Sequence, residues 1–187
     1  MHQDNWSLKA KKMGYRSRAV FKLEEILLKL HKNQINKVLD LGSAPGGWSQ
    51  FIINKYPHSK IIAIDILHME PIDGVQFIKK NIEDIDSIQL INSQKGKFDL
   101  VISDIAPNIT GISAVDNENI YELNKITINL ANIYLSEVNS AVVIKTFQNN
   151  NFKSLKKEME LFFEIVQTYK PAASKNKSAE TYLYGAR

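Results

Sequence analysis

The sequence predicts an α/β fold: a mostly parallel, twisted sheet of about seven strands with helices on both faces. Two observations predict it. Short apolar β-type runs alternate with segments of helical spacing along the 187 residues, the pattern of βα units wound onto one sheet. Two of those runs, Ile61-Ile62-Ala63-Ile64 and Ala141-Val142-Val143-Ile144, are apolar at every position, as strands buried on both faces are. The length suits one domain over residues 1–187, with a basic arm and helix at about 1–34.

The elements follow in order. Residues 17–32 read as a helix, because Val20, Leu23, Leu27 and Leu30 recur at helical spacing while Arg18, Lys22, Glu25 and Lys29 line another face. Lys37–Leu41 is a short β-type run ending at Gly42, and Trp48–Tyr56 reads as a helix. Lys60–Asp65 is a second strand ending in an acid, Val75–Ile78 a weaker third, and Phe98–Asp104 a fourth, again ending in an acid. Residues 118–138 form a long amphipathic helix through Leu123, Ile126, Leu130, Ile133 and Leu135. Ala141–Phe147 is a fifth strand carrying Lys145. Phe152, Leu155, Met159 and Phe162 mark another helix, and two β-type runs at 163–169 and 180–184 close the chain. In such sheets ligands sit at the carboxyl ends of the strands, which is where Asp40, Asp65, Asp104 and Lys145 fall.

Composition narrows the chemistry. With no cysteine, disulfides, thiolate-held zinc and cysteine nucleophiles are excluded. His2, His31, His58 and His68 lack metal-ligand spacing. No apolar run reaches the roughly 20 residues of a membrane span, and the N-terminus has no apolar leader core. An intracellular place is expected, in the cytoplasm or in an organelle with bacterial-type ribosomes. Charge is uneven: net +6 over residues 1–37, −5 over 38–169 and +3 over 170–187. An acidic body with basic ends suits a polyanion held at the ends. A solvated terminus or a transit peptide is the plainer alternative.

The stretch Asp40–Trp48 (DLGSAPGGW) joins the first strand to a helix. Its glycines permit a tight turn and close backbone approach to a ligand, and the helix start behind them favours electron-rich groups. Asp65, at the end of the next strand, is placed to hold ribose hydroxyls. The loop is neither G-x-G-x-x-G nor G-x-x-x-x-G-K-[ST], which disfavours NAD and excludes a phosphate-cradling loop. A nucleoside without pyrophosphate fits: S-adenosylmethionine.

Asp40–Gln50 (DLGSAPGGWSQ), Ser103–Gly111 (SDIAPNITG), Val143–Gln148 (VIKTFQ), Ser178–Tyr182 (SAETY) and Tyr15–Ile26 (YRSRAVFKLEEI) together resemble the FtsJ/RrmJ family. Those proteins are S-adenosylmethionine-dependent 2′-O-methyltransferases of ribosomal RNA with a Rossmann-like methyltransferase fold. The likeness runs from about Trp6 to Tyr184. It implies a catalytic Lys–Asp–Lys–Glu set at Lys22, Asp104, Lys145 and Glu180. It implies cofactor contacts at Gly46, Trp48, Asp65 and Asp104, within a set that takes in Gly42, Ala44, Pro45, Gly47, Ile66, Asn81 and Ile82. One departure stands out: where the family usually has an acid near the adenine, this chain has Asn81, an uncharged acceptor. The family's substrate is a uridine of large-subunit rRNA, either naked or within an assembling subunit. S-adenosylhomocysteine would be the product; no metal, no membrane and a monomer are expected.

The chemistry asks for such residues. A ribose 2′-hydroxyl is a poor nucleophile and needs a positioned base and an in-line methyl donor. The sulfonium supplies an activated methyl, so the reaction calls for no metal. A free lysine, with a pKa near ~10.4, is protonated at neutral pH. A second cation or burial lowers that value, and a carboxylate such as Asp104 raises it. Either lysine of the set could be the neutral one; Lys145 is assigned as the base, and Glu180 as orienting Lys22 or the RNA. For RNA, Lys9, Lys11, Lys12, Arg16, Arg18, Lys175 and Lys177 are the expected phosphate contacts, and Trp6 and Tyr15 either stack on bases or pack locally.

Singly, each of the four set members reads as an ordinary solvated or strand-end charge; only their coincidence argues otherwise. A base N-methyltransferase is disfavoured because Asp104-Ile105-Ala106-Pro107-Asn108 offers no aromatic to stack a flipped base. The remaining alternatives are a 2′-O-methyltransferase of tRNA anticodon loops and a non-catalytic RNA-binding assembly factor.

Overall fold

The computed structural model describes residues 5–30, 34–107, 110–174 and 178–187; Lys175 and Lys177 lie outside them. The chain opens with two helices, α1 (Asn5–Lys12) and α2 (Val20–Lys29). Then follow β1 (Lys37–Leu41), α3 (Gly47–Lys55), β2 (Lys60–Asp65) and β3 (Val75–Lys79). A 3₁₀ turn (Ile82–Ser87) and the single-turn α4 (Gln89–Asn92) lead to β4 (Leu100–Ser103). The rest is α5 (Ser113–Tyr134), β5 (Ala141–Phe147), α6 (Phe152–Glu160), β6 (Ile165–Tyr169) and β7 (Glu180–Ala186).

The seven strands form one sheet in the order β3-β2-β1-β4-β5-β7-β6. All neighbours are parallel except β7, which runs antiparallel to both β5 and β6. The chain winds outward from β1 in one direction and from β4 in the other. The crevice between the carboxyl ends of β1 and β4 is therefore the switch point where a ligand can enter.

Alternation along the strands feeds two cores. Val38, Ile61, Ile102 and Val143 face α2 and α3, where Leu23, Leu27, Trp48 and Ile52 meet them. Leu39, Leu41, Ile64, Val142 and Ile144 face the other way, against Ile128, Ala131 and Tyr134 of α5 and Met159 of α6. The continuous apolar runs in the sequence are thus needed on both sides.

Element boundaries differ from the sequence expectation in a few places. The expected helix over 17–32 is shorter, because residues 17–19 form a separate turn in which Ser17 Oγ accepts from the Ala19 N–H (3.1 Å). Helix α5 starts at Ser113 rather than 118. Its first turn has no apolar periodicity, but Asp116 is buried and accepts from Thr110 N (2.7 Å), Thr110 Oγ1 (2.7 Å) and Gly111 N (3.1 Å). That carboxylate fastens the loop after β4 to the helix and stays ionised readily, since the Thr110 and Gly111 bonds hold its pKa below the ordinary value. Phe98, expected as strand, lies before β4 and makes an isolated bridge to Leu135.

Gly42 ends β1 with φ +74°, and a Cβ there would lie 2.0 Å from Ile105 Cγ1. The loops after β1 and β4 meet at that point. Replacing Gly42 by Ala should lower stability by roughly 2–5 kcal/mol, combining the left-handed backbone cost with overpacking. The shift of the urea unfolding midpoint at constant m-value measures it.

Candidate active site

Four charged side chains, far apart in sequence, converge at the carboxyl ends of the central strands. Lys22 projects from α2 and is 5% exposed. Its Nζ lies 2.6 Å from Glu180 Oε1, at the start of β7. Lys145 projects from β5, where it stands opposite Tyr182 in the register with β7. Its Nζ lies 3.3 Å from Asp104 Oδ1 and donates to the Asp104 backbone carbonyl. The site is therefore two lysine–carboxylate pairs.

Tyr182 joins the pairs. Its hydroxyl lies 3.1 Å from Asp104 Oδ1 and 3.4 Å from Glu180 Oε1. Its ring is buried against Trp48 (5.9 Å between centroids) and lies under Lys22 Nζ (5.8 Å). Burial, with the two carboxylates, holds the phenol well above its ordinary pKa, so it remains a proton donor. Ser174 Oγ adds a third bond to Glu180, at 3.0 Å. Burial of Glu180 opposes ionisation, but Lys22, Ser174 and Lys145 together outweigh it and leave its pKa below the ordinary value. Both cations thus act on one carboxylate. Tyr182 and Ser174 are functional candidates the sequence reading passed over; the place of Tyr182 two residues after Glu180 on a strand, hence on the same face, was the available signal.

Beside the pairs runs a cleft of about 470 Å³ bounded by Gly42, Ala44, Asp65, Ile66, Asn81 and Ile82, and by Asp104 with the segment after it. It is large enough for a nucleoside-sized ligand. Asp65 caps β2, its Oδ2 accepting from Ala44 N (2.8 Å) and its Oδ1 from Leu67 N (2.8 Å). A carboxylate has about four acceptor positions, so lone pairs remain for ligand hydroxyls. A smaller recess next to it is lined by Ser17, Asp40, Ser43, Ala44, Gly47, Trp48 and Asp104. There Ser43 Oγ is buried with no hydrogen-bond partner among the described residues. An orphaned buried hydroxyl is costly, and a polar ligand group would satisfy it. Gly46, at φ +101°, turns the backbone into the first turn of α3, leaving that helix's free N–H groups at the recess. Pro45 follows a cis peptide bond.

Asn81 is occupied differently from the sequence expectation. Its Oδ1 accepts from Glu83 N (3.2 Å), and its Nδ2 donates to Glu83 Oε2 (3.3 Å). The side chain caps the 3₁₀ turn, and the negative charge at this end of the cleft is that of Glu83.

The N-terminal arm presents Lys9, Lys11 and Lys12 in the last turn of α1, on the exposed side. Trp6 and Tyr15 take the local-packing alternative. Both rest against Phe21, at 5.3 and 6.3 Å between ring centroids, and Lys9 Nζ sits 4.6 Å over that ring. Arg16 faces the protein: its guanidinium donates to Pro45 O (3.3 Å), Glu70 O (2.6 Å) and Pro71 O (2.7 Å). Among the described residues no group of three or more His, Cys, Asp and Glu side chains could hold a metal ion, and no helix is long and apolar enough to cross a membrane.

The chain matches the model of the FtsJ-like methyltransferase family over residues 15–187. It is 39% identical over 187 aligned positions to the ribosomal RNA large subunit methyltransferase E of Wigglesworthia glossinidia brevipalpis, with 97% of this chain and 90% of that protein covered. It is 40% identical to the protein of the same name from Ehrlichia chaffeensis, with 94% and 84% covered. A crystal structure of a ribosomal RNA methyltransferase from Plasmodium falciparum superposes with a TM-score of 0.78 at 29% identity, covering 92% of this chain and 98% of that one.

Beneath the recess, Asp40 is 1% exposed and accepts from Ser49 Oγ at 2.6 Å. Burial pushes its carboxyl up to about 7 from 3.8, against the pull of the Ser49 bond and with help from Asp104 and Asp65. The folded chain therefore holds a proton there that the unfolded chain has lost, so this group stabilises most at the acid end of that window and progressively less as pH rises to about 7. Asp40→Asn keeps an acceptor for Ser49 without ionising. Between pH 5.5 and 8 the wild-type protein should lose about 2 kcal/mol relative to that variant, as read by urea unfolding at each pH.

Proposed function

The chain belongs to the FtsJ-like methyltransferase family, and from that premise we propose that it methylates a ribose 2′-hydroxyl of large-subunit ribosomal RNA, at a uridine, using S-adenosylmethionine. The rRNA substrate follows the names of the relatives. The single observation that carries the ribose reading is the double lysine–carboxylate site joined by Tyr182 at the mouth of a nucleoside-sized cleft. It offers a base and a cation side by side, which a hydroxyl nucleophile needs. The segment after Asp104 reads Ile105-Ala106-Pro107 and brings no ring to stack a flipped base.

The residues present fit the cofactor. Asp65 would take the ribose hydroxyls, Ile66 and Ile82 the faces of the base, and Glu83, behind Asn81, the amino edge. Ser43 and the first turn of α3 would take the amino-acid end. Bound there, S-adenosylmethionine would supply an activated methyl on a positive sulfur, with neutral S-adenosylhomocysteine as the leaving group. Lys22 is paired with Glu180 at 2.6 Å. Lys145 has the longer carboxylate contact and takes the hydroxyl proton; Asp104, through its carboxylate and carbonyl, then holds the new ammonium. Tyr182 keeps Asp104 and Glu180 at a fixed separation. The exposed Lys9, Lys11 and Lys12 would bind phosphates. The whole of residues 1–187 would act as one domain.

Methyl transfer from labelled S-adenosylmethionine to rRNA and to large subunits, followed by digestion to nucleosides, tests the reading. Label should appear in a 2′-O-methylated nucleoside. Lys145→Ala should lose at least about 100-fold in turnover while binding S-adenosylhomocysteine as the wild type does. Label in a methylated base would overturn the ribose assignment. Replacing Lys9, Lys11 and Lys12 together by Gln should weaken RNA binding and flatten the plot of log K against log salt by about 2–3 units, at roughly 0.7–0.9 per phosphate contact; an unchanged slope would remove the arm from the docking surface.

A further inference from the structure

We infer that Arg16 is a positioning residue that latches the N-terminal arm to the cofactor-side loops, and that it serves cofactor binding rather than RNA binding. The inference rests on the reading of the cleft as an S-adenosylmethionine site. An exposed arginine in a basic arm ordinarily reads as a phosphate contact, but here three of its five N–H donors already serve backbone carbonyls. Nη1 reaches Pro45 O and Glu70 O, and Nη2 reaches Pro71 O. Pro45 belongs to the turn between β1 and α3; Glu70 and Pro71 belong to the connection from β2 to β3. These two segments flank Asp65, which itself receives the Ala44 N–H. The guanidinium thus ties together the two backbone walls that meet at the Asp65 carboxylate.

The arm is fastened at the same point. The Arg16 N–H donates to Gln50 Oε1 (3.0 Å), and Gln50 Nε2 donates to Gly14 O (2.9 Å), so one α3 side chain grips the arm's backbone on both sides of Tyr15. Gly46 makes room: a Cβ there would lie 3.2 Å from Arg16 Nη1, 2.8 Å from Ile72 Cδ1 and 2.9 Å from Met69 Sδ. Arg16 serves three carbonyls on two segments through two nitrogens of one planar fork; an ammonium is a single point donor and matches that spread less well.

The test uses the full chain and two ligands. Calorimetry gives the affinity for S-adenosylhomocysteine, and filter binding across a salt series gives the affinity and salt slope for a large-subunit rRNA transcript. For Arg16→Gln we expect S-adenosylhomocysteine to bind about tenfold more weakly, with the RNA salt slope unchanged. Arg16→Lys, which keeps the charge and should fold if the Gln variant does not, should also bind S-adenosylhomocysteine more weakly, with the same unchanged slope. A general loss of structure would instead weaken both ligands together. Wild-type affinity for S-adenosylhomocysteine in both variants overturns the latch, as does a slope that falls by about 0.7–0.9, the signature of one lost phosphate contact. A wild-type protein that binds no S-adenosylhomocysteine overturns the cofactor reading itself, and the latch with it.

Discussion

The antiparallel pairing of β7 with β5 is the contact on which the site depends. Its register sets Lys145 opposite Tyr182 and Phe147 opposite Glu180. That places a carboxylate and a phenol from the end of the chain beside Lys145 of β5 and beside Lys22 from the chain's beginning. Side chains alternate across a strand, so a slip of one residue would turn Glu180 and Tyr182 to the other face, part Glu180 from Lys22 and take the phenol away from Asp104. The register is held because Leu183 and Tyr184 sit in opposite cores; apolar burial fixes where the charges stand.

The site is costly in the usual sense. Lys22, Asp40 and Tyr182 are all nearly buried, and such groups are tolerated only when partnered. Each has its partner: Glu180 for Lys22, Ser49 for Asp40, Asp104 for Tyr182. Removing one partner leaves a buried charge or donor behind, and the penalty then exceeds the value of the lost bond. Ser43 Oγ, beside them, has no partner among the described residues, and in a recess walled by Asp40 and Trp48 that is the strongest local sign that something polar belongs there.

Much of this fold was legible because the strands are extreme. β1, β2 and β5 carry apolar residues on both faces, and no helix pattern imitates them. The start of α5 was not legible: Ser113 to Asn117 has no periodicity, and its order comes from Asp116 gripping a loop. α1 and the 3₁₀ turn were equally hidden, being short and set by contacts distant in sequence. Within the site, Asp65, Asp104 and Lys145 could be picked from their places at strand ends, whereas Lys22 and Glu180 came only with the resemblance, which left Glu180 beside either Lys22 or the RNA; the 2.6 Å contact with Lys22 is set by the fold. Nor could Arg16 be told from its basic neighbours, because its role is fixed by carbonyls some thirty to fifty residues away.

The late position of β7 also sets a timetable. A chain emerging amino end first can build β1 to β5 with their helices, and with them the cleft beside Asp65 and Asp104. Lys22 must then wait for a partner from the far end of the sequence, and its ammonium stays wet until the final strand slides in between β5 and β6. Contacts of such separation form slowly. A chain folding from its amino end therefore passes through a stage in which the cleft is shaped and Lys145 already meets Asp104, while the Lys22–Glu180 pair and the phenol between the two carboxylates are still missing.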